Sequence, residues 1–258
     1  MVKIDGIEYR RFPENGSAPI DDCFALCEEA GYSVLSMDSI AQLRVRHNKN
    51  DDPAWTQVQG AYSGSVVGVG LLEGGLPTIV VAHRNHPLMT ASAIRRFMSE
   101  RQRFDRGGIR LSKDEVQGLI LPHNDSQRDI FVYQGPQLTH PQVLNNGMVS
   151  ATIDGTARTL LVPMIGNKDF VEPYLQGHRN NFSAEIGIFF DQVALKSEGL
   201  LFRPLWFGVN FNISLYGNNE FNDYGCVFGV PFSAADTAQK ISPPEKNSFL
   251  AELLSKRV

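Results

Sequence analysis

Cysteine is scarce in this sequence: there are three, Cys23, Cys27 and Cys226, too few and too unevenly spaced for a disulfide framework. No pair has the C-x-x-C spacing of a redox centre, and no quartet exists for structural zinc. Cys23 and Cys27 lie one helical turn apart, so small buried hydrophobes are the expectation. Long apolar runs are missing too, and none approaches the ~20 residues a membrane-spanning helix requires. The opening MVKIDGIEYRRF lacks the apolar core of a secretory signal. Synthesis in the cytoplasm without a signal peptide is expected, and no membrane insertion. Charge is thin as well, at 20% charged residues and a net charge of -4. Nothing in that balance attracts a nucleic-acid backbone or an anionic membrane, so no nucleic-acid partner is expected. Basic residues crowd between Arg95 and Arg106, where they alternate with apolar positions as on the wet face of a helix.

Lysine and arginine are absent from residues 204–239. Within that stretch, five of the nineteen residues 206–224 are Asn and six are aromatic. A solvated loop carries charge and few rings. A buried strand avoids Asn, whose amide must find partners once it leaves water. Tyr, Asn, Ser and Gly mixed with rigid rings is the composition of a binding surface, where rings give contact area at low entropic cost and small polar groups adapt their hydrogen bonds. Val209, Phe211, Ile213 and Leu215 alternate with Asn210, Asn212, Ser214 and Tyr216, the period of a half-buried strand. Gly217-Asn218-Asn219 reads as the turn that ends it. A plain surface hairpin would have the same composition, so composition leaves both readings open.

Ahead of it, strand and helix signals alternate. Residues 1–12 suggest strand around an Asp5-Gly6 turn. IDDCFALCEEAG predicts a helix ended by Gly31, followed by extended YSVL and a second helix opened by Ser36 or Asp38. Residues 55–83 read as strands, AYSGSVVGVGLL and TIVVAH, joined by the turn EGGLP. An amphipathic helix is predicted over 90–104, ending near Gly107-Gly108. A capping box at Ser112 and Glu115 marks a further short helix. DIFVYQ reads as a strand, residues 141–144 as one helical turn, and MVSATIDGTARTLLVPMI as a hairpin around Asp154-Gly155. A helix over 168–175 is short or broken at Pro173. EIGIFFD and GLLFRPLWFG are apolar strand candidates. Many strands with few, early helices imply an α+β fold. It occupies residues 1–232 as one unit, with a polar tail at 233–258 that holds a short amphipathic segment.

Other constellations have plain readings. His83-Arg84-Asn85-His86-Pro87 could share a metal with His123 or His140. No acidic general base stands at a motif spacing, and loop histidines capping a helix are the simpler account. SGSVVGVGLLEGG contains a GxG pattern but precedes a turn and a strand, which is no phosphate site. Asp21, Asp22, Glu28 and Glu29 read as a solvated helix face. No catalytic residue, cofactor or resident metal is expected.

DCFALCEEAGYSVLSMDSIAQLR resembles the two-helix opening of C-type-lectin-like folds, and LLFRPLWFG with GCVFGV resembles their closing strands. The whole is similar to the variable proteins of diversity-generating retroelements, archaeal or viral, in which adenine-directed mutagenesis of AAY codons rewrites a late, Asn-rich stretch. The resemblance covers roughly the first fifty residues and the last sixty before the tail. It leaves residues 55–177 as an insertion or family-specific elaboration. Carried over position by position, it implies that Val209, Asn210, Phe211, Asn212, Ser214, Tyr216, Asn218, Asn219, Asn222, Asp223 and Tyr224 are exchangeable and touch a target. The implied scaffold is Leu201, Pro204, Leu205, Trp206, Gly208, Gly225, Phe228 and Gly229. Rewritten AAY codons cannot encode Met, Trp, Gln, Lys or Glu, and residues 208–225 contain none of these except Glu220, which must then be fixed. Calcium-dependent sugar binding is not implied, because Phe221-Asn222-Asp223 has no partner motif. A Cys27–Cys226 bond would mirror lectin-fold disulfides, but Cys226 flanks the variable stretch and the bond is not expected.

The expectation is a ligand-binding protein that performs no chemistry and recognises a protein or cell-surface molecule. Several copies on one particle would raise its avidity. Oligomer formation, virion attachment and surface display stay open. The alternatives are a metal-dependent enzyme using His83, His86 and His123, an enzyme on the related formylglycine-generating scaffold, or a structural virion subunit whose aromatic stretch is an oligomer interface.

Overall fold

Asp5 and Gly6 both take positive φ, 51° and 78°. That mirror-image turn matches the twist of paired strands and folds β1 (Val2–Ile4) back onto β2 (Ile7–Phe12). The computed structural model describes residues 1–47, 49–72, 75–83, 88–112, 114–116, 130–134, 138, 148–150, 155–182, 186–208 and 215–234. Beyond β3 (Ala18–Pro19), α1 (Ile20–Glu29) buries Ile20, Cys23, Phe24 and Cys27 at helical spacing. Gly31, at φ 79°, turns the chain into β4 (Tyr32–Val34). α2 (Met37–Arg46) is buried from Met37 to Arg44. The Arg44 guanidinium donates to the carbonyls of Ala54 and Val58 and to the Tyr174 hydroxyl, between the rings of Trp55 and Phe207. α3 (Pro53–Thr56) carries Trp55, which is fully buried with its indole N–H on the Arg44 carbonyl. The run expected to be strand from residue 55 is therefore helical at its start and extends only from Ala61.

From there β5 (Ala61–Leu72) and β6 (Leu76–Ala82) make the expected hairpin. α4 (Ala91–Ser99) is capped by the Thr90 hydroxyl and stops five residues short of its expected end. The chain instead reverses at Arg106-Gly107, joining β7 (Phe104–Asp105) to β8 (Gly108–Leu111). Ser112 and Glu115 exchange the reciprocal bonds of a capping box at the head of the helical turn 114–116. β9 (Ile130–Gln134) pairs with β6. β10 (Met148–Ser150) leads to α5 (Gly155–Ile165) where a hairpin was expected. Leu160, Leu161, Met164 and Ile165 of α5 are all buried, and their burial overrides the β-branched, proline-bearing local sequence. α6 (Val171–Asn181) continues six residues past its expected end, because Pro173 is its third residue, where an amide has no helical acceptor to lose. Helices are thus spread along the chain rather than confined to its start, and the class remains α+β.

β11 (Gly187–Phe190), β12 (Gly199–Phe207), β13 (Leu215–Gly217), β14 (Tyr224–Gly225) and β15 (Val227–Pro231) follow. The main sheet runs β1-β2-β15-β5-β12-β13-β11-β10, with β4 on β15, β6 on β5, β9 on β6, and β7 joined through β8 to β12. β15 lies antiparallel to β2 and parallel to β5, which returns the late chain to the N-terminal hairpin. β12 pairs along β5, with an irregularity between Pro204 and Trp206 where proline has no N–H to offer the ladder. The segment expected as an insertion supplies β5, in the middle of this strand order, and β6 and β8, which branch from β5 and β12. Alternate β5 side chains enter two apolar clusters on opposite faces, Val67 and Val69 on one and Val66 on the other.

Candidate functional site

The surface of interest is built where β12 forks. Its Leu200–Phe202 end pairs β8, and its Trp206 and Phe207 end pairs β13. β13 also lies parallel to β11. Gly217 closes β13 against the sheet: a Cβ there would stand 2.6 Å from the Val67 side chain, so only glycine lets the chain leave the core at this point. Residues 218–223 then loop to β14, which pairs with β3.

This loop is held by its backbone and one plug. Phe221 is fully buried, in the same apolar cluster as Phe24, Tyr62 and Phe202. Its amide donates to the Gly107 carbonyl at 2.7 Å, which ties the loop to the β7–β8 turn. Arg203, 4% exposed, sits beneath both. Its guanidinium donates to the Asn219 carbonyl at 3.3 Å and the Arg106 carbonyl at 2.5 Å, and pairs with Asp191 at 2.7 Å. Asp191 is fixed in turn by the amides of Val193 and Ala194, each at 2.9 Å. Burial opposes its ionisation, yet the Ala194 amide and the Arg203 and Arg106 guanidinium groups hold its carboxyl below the ordinary carboxylate range. Arg203 was not singled out from the sequence. The signal was there: an arginine inside the apolar strand GLLFRPLWFG needs a buried partner.

Asp223 departs from its expected role. Its Oδ2 accepts from the Glu220 amide at 2.9 Å and from the Tyr62 hydroxyl at 3.3 Å, so it shapes the loop and is not freely exchangeable. Burial, followed by the Asp223 carboxylate, pushes the Tyr62 phenol upward and keeps it a donor. Glu220, expected to be fixed, lays its stem over Gly107. Asn218 and Asn222 are exposed, Asn219 partly so, and Tyr224 is 70% exposed. Among the described residues, the side chains of Asn218, Asn222 and Tyr224 accept and donate no hydrogen bond. Val209, Asn210, Phe211, Asn212 and Ser214 lie outside the described residues, and Tyr216 is described by its backbone pairing in β13.

The expected scaffold positions are packed. Leu201, Pro204, Leu205, Gly208, Phe228 and Gly229 are buried, and Trp206 is half-buried. Gly225 faces the Tyr62 ring, which a Cβ would meet at 2.5 Å.

The histidine alternative begins at His83. His83 is fully buried, with Nδ1 2.8 Å from the Ser65 hydroxyl and Nε2 2.9 Å from the Pro163 carbonyl. Nε2–H donates to that carbonyl in the last turn of α5, and Nδ1 is bonded to the Ser65 hydroxyl, so both nitrogens are engaged by the protein itself. His86, His123 and His140 lie outside the described residues. No group of three or more His, Cys, Asp or Glu among the described residues could hold a metal ion. Cys23, Cys27 and Cys226 are free and buried. Burial pushes the first two thiols up to about 12 and raises the third, which makes them poor nucleophiles. Cys27 and Cys226 belong to clusters on opposite faces of the sheet.

No family model matches the chain, and none of the curated proteins matches it. Among solved structures it is similar to one described as "Accommodation of massive sequence variation in Nanoarchaeota by the C-type lectin fold", at a TM-score of 0.66 and 19% identity. The match covers 88% of this chain and 100% of that one. The fold is that of the C-type lectins.

Proposed function

We propose that this chain, built on the C-type lectin fold, is a ligand-binding protein that displays a sequence-diversified, solvent-facing surface and performs no chemistry. The observation that carries the reading is the division of labour in residues 218–224. Phe221, Asp223 and the backbone hold the loop to Arg203, Tyr62 and Gly107, while Asn218, Asn222 and Tyr224 face water. Side chains so placed can change identity with little effect on folding, since large losses of stability come from core, cap and backbone sites. Rigid Tyr and adaptable Asn then supply contact area and hydrogen bonds to a protein or cell-surface target. The similar structure, described in terms of massive sequence variation, supports diversification of this chain too.

The genomic test is direct. The neighbouring DNA is expected to encode a reverse transcriptase and a near-copy of codons 208–225 that differs at adenines. An intact gene with neither element removes diversification from the reading. The metal-dependent enzyme makes the opposite biochemical prediction, stoichiometric zinc or copper in the purified protein, and elemental analysis decides between them.

A further inference from the structure

We infer that the recognition surface has a second, fixed half: the tip of the β7–β8 hairpin, where Arg106 presents a guanidinium to one acidic group of a bound protein segment. This rests on the reading of the 218–224 loop as a binding surface and extends it to an element over a hundred positions earlier in the chain.

The tip and the loop are one body. The Gly107 carbonyl accepts from the Phe221 amide, the Glu220 stem covers Gly107, and buried Arg203 donates to the carbonyls of both Arg106 and Asn219. Whatever docks on Asn219 and Asn222 meets the hairpin tip as well. Arg106 occupies the first turn position at φ 47°, a left-handed conformation that Asn or Gly adopts more cheaply. Its side chain is 36% exposed, and its guanidinium stands at the long end of ion-pair distance, 3.5 Å from Asp105 and 3.8 Å from Asp191. Both carboxylates have closer partners, Arg110 and Arg203, each at 2.7 Å. Arg106 supports both carboxylates from a distance and can turn its fork to a carboxylate from outside. Residues 204–239 contain no Lys or Arg, so the loop itself offers no such group. Glu220 and Asp223 border the same surface and disfavour a second acid. The fitting segment is apolar or neutral over Tyr224 and the asparagines, with a single Asp or Glu opposite Arg106.

The test pans phage-displayed random peptides on the purified full chain, then measures the selected peptides on Arg106→Asn, Arg106→Lys and Tyr224→Ala. Asn suits the left-handed turn and removes the charge without adding strain. Expected are peptides richer in Asp or Glu than the starting library, bound about tenfold more weakly by Arg106→Asn, largely retained by Arg106→Lys and lost by Tyr224→Ala. Peptides that depend on Tyr224 yet show no acidic bias and no loss on Arg106→Asn overturn this inference and leave the loop reading standing. If no peptide depends on Tyr224 or Asn222, the loop reading falls and takes this inference with it. Should Arg106→Asn lower the melting temperature, the charge bias of the wild-type selection decides alone.

Discussion

Neighbouring residues of the 218–224 loop have opposite prospects under mutation. Phe221 is fully enclosed, and Phe221→Ala is expected to cost about 3–5 kcal/mol by emptying its pocket, read as a lower denaturant midpoint. Three positions on, Tyr224→Ala removes a ring that is 70% exposed. Its effect on stability is expected within about 0.5 kcal/mol, or roughly 2 °C in Tm. Equal losses at the two positions would contradict the division between anchor and display. Asp223 belongs with Phe221: Asp223→Ala leaves the Glu220 amide and the Tyr62 hydroxyl without their acceptor, and a loss of about 1–3 kcal/mol is expected in thermal unfolding.

At the scale of elements, the Arg203–Asp191 pair joins β12, the turn after β11, the β7–β8 turn and the loop. Removing one member strands a buried charge, so Arg203→Met is expected to cost about 3 kcal/mol. Asp191 titrates below the ordinary value in the folded chain. Its stabilising contribution is therefore complete above about pH 4 and disappears as pH falls through the lowered value. Acid titrations of wild type and Asp191→Asn are expected to converge at low pH, and parallel curves down to pH 2 would argue against the pair. None of these long-range links could be read from sequence, because Arg203, Tyr62 and Gly107 come from three distant strands and turns. The elements read correctly have local causes: α1 from Phe24 and Cys27 on one side and Gly31 behind them (Leu26, expected beside them, is exposed), the first hairpin from Asp5-Gly6, and the cap at Ser112 from Glu115. α5 was misread because TARTLLVPMI has the composition of a strand, and only burial of Leu160, Leu161, Met164 and Ile165 makes it a helix. The hairpin turning at Arg106 was hidden by an arginine where Asn or Gly is the usual signal.

For the molecule as a whole, we propose that one sheet, closed by β15 between β2 and β5, carries a surface whose chemistry is separable from its architecture. The early helices and closing strands that suggested the fold are joined through β5 and β12, both rich in apolar residues whose pairing the sequence alone could not order. The most direct measurement is a pooled library in which Asn218, Asn222 and Tyr224 vary together while Phe221, Asp223, Gly217 and Gly225 stay constant, scored for thermal stability and for peptide selection. The account predicts that most members melt within about 4 °C of the parent while the peptides they select differ from member to member. A library in which most members unfold, or in which all select the same peptides, would contradict it.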